Sequence, residues 1–150
     1  MAAEQYQKIY LYKRIVQAKL FIDNNYGEDI DLNNIADEAY FSKFHFIRTF
    51  KNIYGKTPHH YLIQVRIDIA KQLLTKKISI TQVCFQVGFG STTSFAGLFK
   101  RAIGLSPSAF QKQQQKRKTD ISSRPLNFIP NCFAETHGWT KNSNFKEVIM

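Results

Sequence analysis

The sequence predicts an all-α fold: a seven-helix bipartite domain, its two halves joined by a long central helix, followed by an apolar-rich C-terminal extension. Three observations support this. Apolar residues recur at helical spacing through the body of the chain, and no segment there shows sustained period-two alternation. Ser, Thr or Asp caps and Gly stops also divide the chain at helix-length intervals.

The first helix is expected from Tyr6 to about Tyr26, where Ile9, Leu11, Ile15, Val16, Leu20 and Ile22 recur and Gly27 offers a left-handed stop. Asp31 caps a short second helix carrying Leu32, Ile35, Ala36 and Ala39, which ends near Tyr40. After a tight turn Ser42 caps a third helix, in which Phe46, Phe50 and Ile53 form an apolar stripe and Gly55 is the stop. Thr57-Pro58 opens a long fourth helix, since proline at the first helical position gives up only an N–H that has no partner anyway. That helix carries Tyr61, Leu62, Val65, Ile69, Leu73 and Leu74 to about Lys76, and Lys76-Lys77 complement its negative end. Ser79 opens a fifth helix with Val83, Cys84 and Val87, closed by Gly88. Ser91 opens a sixth with Phe95, Leu98, Phe99 and Ile103, closed by Gly104, and Ser106-Pro107 opens a seventh.

Two of these stretches repeat each other. Placing Ser42 over Ser91 brings Phe46 over Phe95, Phe50 over Phe99, Lys51 over Lys100, Gly55 over Gly104, Thr57 over Ser106, Pro58 over Pro107 and Tyr61 over Phe110. Ile35 and Ala36 match Val83 and Cys84 once Gly90 is counted as an insertion. Each copy reads as a short helix, a tight turn and a longer helix, which is the helix-turn-helix arrangement. The expected domain spans 6–118, with unit one at 31–55, a linker helix at 57–77, unit two at 79–104 and a closing helix at 106–115.

With 150 residues, 43% of them hydrophobic, the chain can bury one core, and only seven Gly and four Pro argue for an ordered body. The net charge of +10 points to a polyanionic partner. Between Glu38 and Asp120 the only acid is Asp68, against a long run of lysines and arginines, so one basic face is expected. No apolar leader or membrane-length stretch stands out, and the expected location is the cytoplasm. Cys84 and Cys132 lack any paired-thiol or zinc spacing and are assigned no chemistry.

The segment from roughly Val16 to Lys112 resembles the C-terminal DNA-binding region of AraC/XylS-type transcription regulators. The specific part is Gly88-Phe89-Gly90-Ser91 through Phe95, Phe99-Lys100 and Gly104-Leu105-Ser106-Pro107. The resemblance implies two helix-turn-helix subdomains acting as a monomeric unit that reads two successive major-groove segments of double-stranded DNA. It implies a transcription regulator, in much of the family an activator. The family's usual ligand-sensing domain is absent, so the chain is either a standalone regulator or one part of a longer polypeptide.

In the third helix Lys43, Phe44, Ile47, Arg48 and Lys51 share the face opposite the phenylalanines. Such a face can use Arg48 for guanine O6 and N7 and Phe44 or Ile47 for thymine methyls, or it can pack Phe44 or Ile47 on a neighbouring helix. The family places base contacts at Phe44, Ile47 and Arg48. The second reading face, Thr92, Thr93, Ser94, Ala96, Gly97 and Lys100, is chemically weaker. Many family members carry Arg where Gly97 stands, and nothing in the first two turns of this helix makes a bidentate guanine contact. The candidate base contacts are therefore Phe44, Ile47, Arg48, Thr92, Thr93, Ser94 and Gly97. The candidate phosphate contacts are Ser42, Lys43, Lys51, Lys56, Ser91, Lys100 and Arg101, aided by helix N-termini. The third helix is expected to dominate specificity.

His45, His59 and His60 stand without carboxylates or thiols at ligand spacing, so neither metal nor cofactor is expected. No phosphate loop, nucleophile elbow or paired-carboxylate motif points to an enzyme. The competing function is a protein-interaction module, for example one that engages RNA polymerase. The extension 119–150 contains Leu126, Phe128, Ile129, Phe133, Trp139, Phe145, Val148 and Ile149, which is too apolar for a typical disordered tail; docking on the domain is the favoured expectation, a surface for a partner the alternative.

Overall fold

The computed structural model describes residues 1–31, 33 and 42–123. Among them are six helices: α1 (Ala2–Asn25), α2 (Lys43–Tyr54), α3 (Pro58–Leu74), α4 (Ile80–Gln86), α5 (Thr92–Ile103) and α6 (Pro107–Ser123). No strand occurs among the described residues, and the all-α expectation holds. Of the helix expected from Asp31 to Tyr40 only Asp31 and Asn33 are described, with the Asn33 N–H donating to Asp31 Oδ1 at 2.8 Å; the rest of it and the extension beyond Ser123 lie outside the described residues. Two compact units divide the chain, Met1–Ser106 and Pro107–Met150. In the second, α6 runs to Ser123 rather than stopping near 115, because Gln, Lys and Arg through this stretch are all good helix formers.

The first helix begins at Ala2, not Tyr6, and only some of its apolar residues face the core. Ile15, Ala18 and Ile22 are buried with Phe46, Phe50 and Leu62, and Leu11 packs beside them. These α1 positions follow one another at intervals of three or four and form one stripe. Ile9, Val16 and Leu20 stand on the opposite side and are 60%, 46% and 51% exposed, so the stripe expected from sequence mixed two faces. Gly27 is also not left-handed. The helix ends in right-handed geometry at Tyr26 (φ −56°, ψ −29°). What Gly27 supplies is room, since a β-carbon there would lie 3.0 Å from the Gln86 carbonyl oxygen.

One polar cluster ties α1 to α3. The Tyr61 hydroxyl donates to Asp23 Oδ1 at 2.7 Å, and Lys19 Nζ donates to Asp23 Oδ2 at 2.8 Å while lying 5.6 Å from the centre of the Tyr61 ring. Partial burial pushes the Asp23 carboxyl up, but the hydrogen bonds from Lys19 and Tyr61 outweigh it and leave the group below its ordinary value. Burial, then the bond to Asp23, raises the Tyr61 phenol. Because the folded carboxyl titrates below the unfolded one, its stabilisation is present above pH 3.8 and is lost as pH falls through the lower folded value. Asp23→Asn is therefore expected to destabilise the protein at neutral pH by on the order of 1 kcal/mol or less, given a pair about one-third exposed. Paired urea melts at neutral pH and near pH 3 check this: the gap between mutant and wild type should narrow in acid.

The internal repeat is visible in detail. Ser42 Oγ accepts the His45 N–H at 3.2 Å, and Ser91 Oγ accepts the Ser94 N–H at 3.1 Å. Phe46 and Phe50 are fully buried on α2, as are Phe95 and Phe99 on α5. Each helix ends at a left-handed glycine, Gly55 (φ 74°) or Gly104 (φ 88°), whose N–H returns to the carbonyl of Lys51 or Lys100. Ile53 departs from its expected stripe and is 37% exposed.

Thr57 and Ser79 cap α3 and α4 as their spacing predicts. Within α3 the buried residues after Pro58 are Leu62, Ile67, Ala70 and Leu74. The helix serves both halves: it touches α1 and α2 on one side and α4 on the other. The second half buries Val83, Cys84, Val87, Phe89, Phe95 and Phe99. Burial raises the Cys84 thiol above its ordinary value, as befits a packing residue with no reactive role.

Candidate nucleic-acid interface

Burying the phenylalanine pairs turns the opposite sides of α2 and α5 to solvent. The exposed residues of α2 include Lys43, Phe44, Arg48 and Lys51, and Phe44 is 78% exposed. Ile47 is mostly buried and packs against the first-half core, so only part of its surface is left to the outward face. Lys56 lies exposed in the turn before α3. The exposed residues of α5 include Thr92, Thr93, Ser94, Gly97, Lys100 and Arg101.

Two of the candidate phosphate ligands are already engaged. Ser91 Oγ accepts the Ser94 backbone N–H and also bonds Ser94 Oγ at 2.9 Å. Ser42 likewise accepts the His45 N–H, which leaves its own O–H to donate outward. None of α2, α3, α4 or α5 has an acidic residue in its first turn. Each of these starts is instead capped by a serine or threonine oxygen that accepts one first-turn N–H.

Gly97 borders open space, and a β-carbon there would meet nothing within 4 Å beyond its own helix. Gly97→Ala is expected to stabilise the protein by about 0.5–1 kcal/mol through helix propensity, read as a higher melting temperature. Gly97→Arg adds a guanine-reading side chain to α5 and should sharpen base preference in the segment that helix faces, read by selection from random duplexes.

No described helix is long and apolar enough to cross a membrane. Among the described residues no group of His, Cys, Asp and Glu is arranged to hold a metal ion.

A family model described as "Helix-turn-helix domain" matches residues 35–113. The chain belongs to the AraC-type helix-turn-helix family. A relative named as an uncharacterised helix-turn-helix transcriptional regulator from Pseudoalteromonas carrageenovora is 35% identical over 98 residues, covering 65% of this chain and 58% of that protein. The transcriptional activator AarP of Providencia stuartii is 31% identical over 98 residues, covering 65% and 73%. The DNA-binding domain of AdpA, solved in complex with a target DNA, matches with a TM-score of 0.66 and 29% identity over 70% of this chain and 96% of that one. The chain spans about half the length of the first curated relatives it matches.

Within this AraC-type frame the capped helices and their exposed faces were legible from sequence. Arg66 and the contact made at Gly27 were not. Arg66 stands between Leu62 and Ala70 on a buried stripe that continues to Leu74. A cation on such a stripe needs partners, and that was the signal available.

Proposed function

We propose that the chain is a sequence-specific transcription regulator that binds double-stranded DNA as a monomer, with α2 and α5 reading two successive major-groove segments. One observation carries the reading: two equally built helices, each capped by serine, anchored by a buried phenylalanine pair and stopped by a left-handed glycine, turn cation-bearing faces outward. Kinship with a domain solved on its target DNA supports it, and kinship with a named activator supports positive regulation.

The two faces differ in chemistry. Arg48 is a bidentate guanine donor, and Phe44 offers a ring to thymine methyls. Thr92, Thr93 and Ser94 offer hydroxyls that position the protein more than they discriminate bases. In this reading α2 supplies most of the specificity, and α5 anchors. Selection from random duplexes, followed by salt-titrated binding to selected and random DNA, tests it. A strong consensus in one segment and a weak one in the next is expected; a specificity ratio near one would sink the reading in favour of a protein-binding module.

A further inference from the structure

The two halves meet at a joint built around Arg66. Its Nε donates to the Tyr26 carbonyl at 2.7 Å and a terminal nitrogen donates to the Glu28 carbonyl at 2.9 Å. Both carbonyls belong to the chain leaving α1, where helix-end oxygens lack partners of their own and no left-handed glycine ties them off. The same guanidinium lies 5.7 Å from the centre of the Phe89 ring, in the turn between α4 and α5. Phe89 in turn packs on Phe95 at 5.3 Å, inside the second reading helix.

The backbones also close on each other at this point. A β-carbon on Gly88 would stand 2.6 Å from the Tyr26 oxygen and 3.0 Å from Arg66 Cζ and Nε. A β-carbon on Gly27 would stand 3.0 Å from the Gln86 oxygen. One guanidinium therefore bonds the first half through its N–H edge and meets the second half's turn with Phe89 and Gly88 beside it. Burial lowers the proton affinity of Arg66 and nearby Asp29 opposes this, and the group stays charged at any physiological pH.

We infer that Arg66 is a positioning residue that fixes the angle and spacing between α2 and α5, and so the spacing between the two DNA segments they accept. The planar, five-donor guanidinium holds a fixed geometry that a lysine ammonium does not. The inference rests on the two-segment reading above. Inserting one base pair between the segments moves the second by about 3.4 Å and turns it by about 35°. A protein with a stiff joint cannot follow that movement, whereas one with a loosened joint can.

The test uses the full chain as wild type, Arg66→Met and Arg66→Lys. Each is checked for folding by circular dichroism, then bound to the selected duplex and to the same duplex with one inserted base pair. On insertion wild type should lose all the affinity that the second segment's preferred bases contribute, about threefold to tenfold for a weakly discriminating α5, and Arg66→Met less than about twofold, with base preferences inside each segment unchanged and Arg66→Lys in between. If Arg66→Met does not fold, Arg66→Lys carries the same comparison. A variant that is less stable or binds less tightly overall, yet keeps the wild-type insertion penalty, overturns the inference and leaves Arg66 a stabilising residue only. A wild type that selects no sequence overturns the two-segment reading itself, and with it this inference.

Discussion

Gly88→Ala is expected to destabilise the protein by about 2–5 kcal/mol, the sum of two separate costs. The residue sits at φ 93°, where an L side chain costs about 1–2 kcal/mol. Its β-carbon would also press to 2.6 Å against the Tyr26 carbonyl oxygen, which is backbone and cannot swing aside. Forcing the seam open adds about 1–3 kcal/mol. Gly55→Ala is the control, because Gly55 has a comparable φ of 74° and nothing within 4 Å of a β-carbon. It should show the conformational cost alone. Thermal melts of the two variants separate the terms: Gly88→Ala should melt about 10 °C or more below wild type, well below Gly55→Ala. Equal melting temperatures for the two variants would mean that the close approach of the halves contributes nothing.

The second large effect concerns binding. Arg48→Ala is expected to cost about 1–3 kcal/mol on the selected duplex, a loss of about 5- to 150-fold, and to relax base preference at one position. Arg48 is exposed on α2, one turn beyond Phe44, so its removal leaves no cavity and should leave the melting temperature nearly unchanged. Lys51→Ala is the contrast. If its partner is a phosphate, affinity falls by a similar factor on every sequence and the salt slope drops by about one. An Arg48→Ala protein that weakened equally on selected and random DNA would reassign Arg48 to the phosphate backbone.

Much of the fold was readable in the order of residues because its determinants are local. Ser42, Thr57, Ser79 and Ser91 cap the N–H three residues onward in each case. A contact of that reach is written in the sequence itself. The paired phenylalanines four residues apart likewise define a buried side and, by exclusion, the outward faces of α2 and α5. Periodicity misled where it is ambiguous. In α1 apolar residues occupy two opposite sides, and spacing alone could not say that Ile15, Ala18 and Ile22 face inward while Ile9, Val16 and Leu20 face out.

Residue order was enough to establish that the described chain is helical, that two of its stretches are copies of one plan, and which side chains those copies turn outward. How the halves are joined became visible only with the helices in place. Arg66 is 40 residues from Tyr26, and no local pattern shows that its guanidinium meets that carbonyl with Phe89 alongside it. Gly27 and Gly88 are legible as glycines, but the approach of the Gln86 and Tyr26 oxygens that requires them is a through-space event. Caps and stripes depend on neighbours along one helix, whereas a joint depends on where separate helices come to lie.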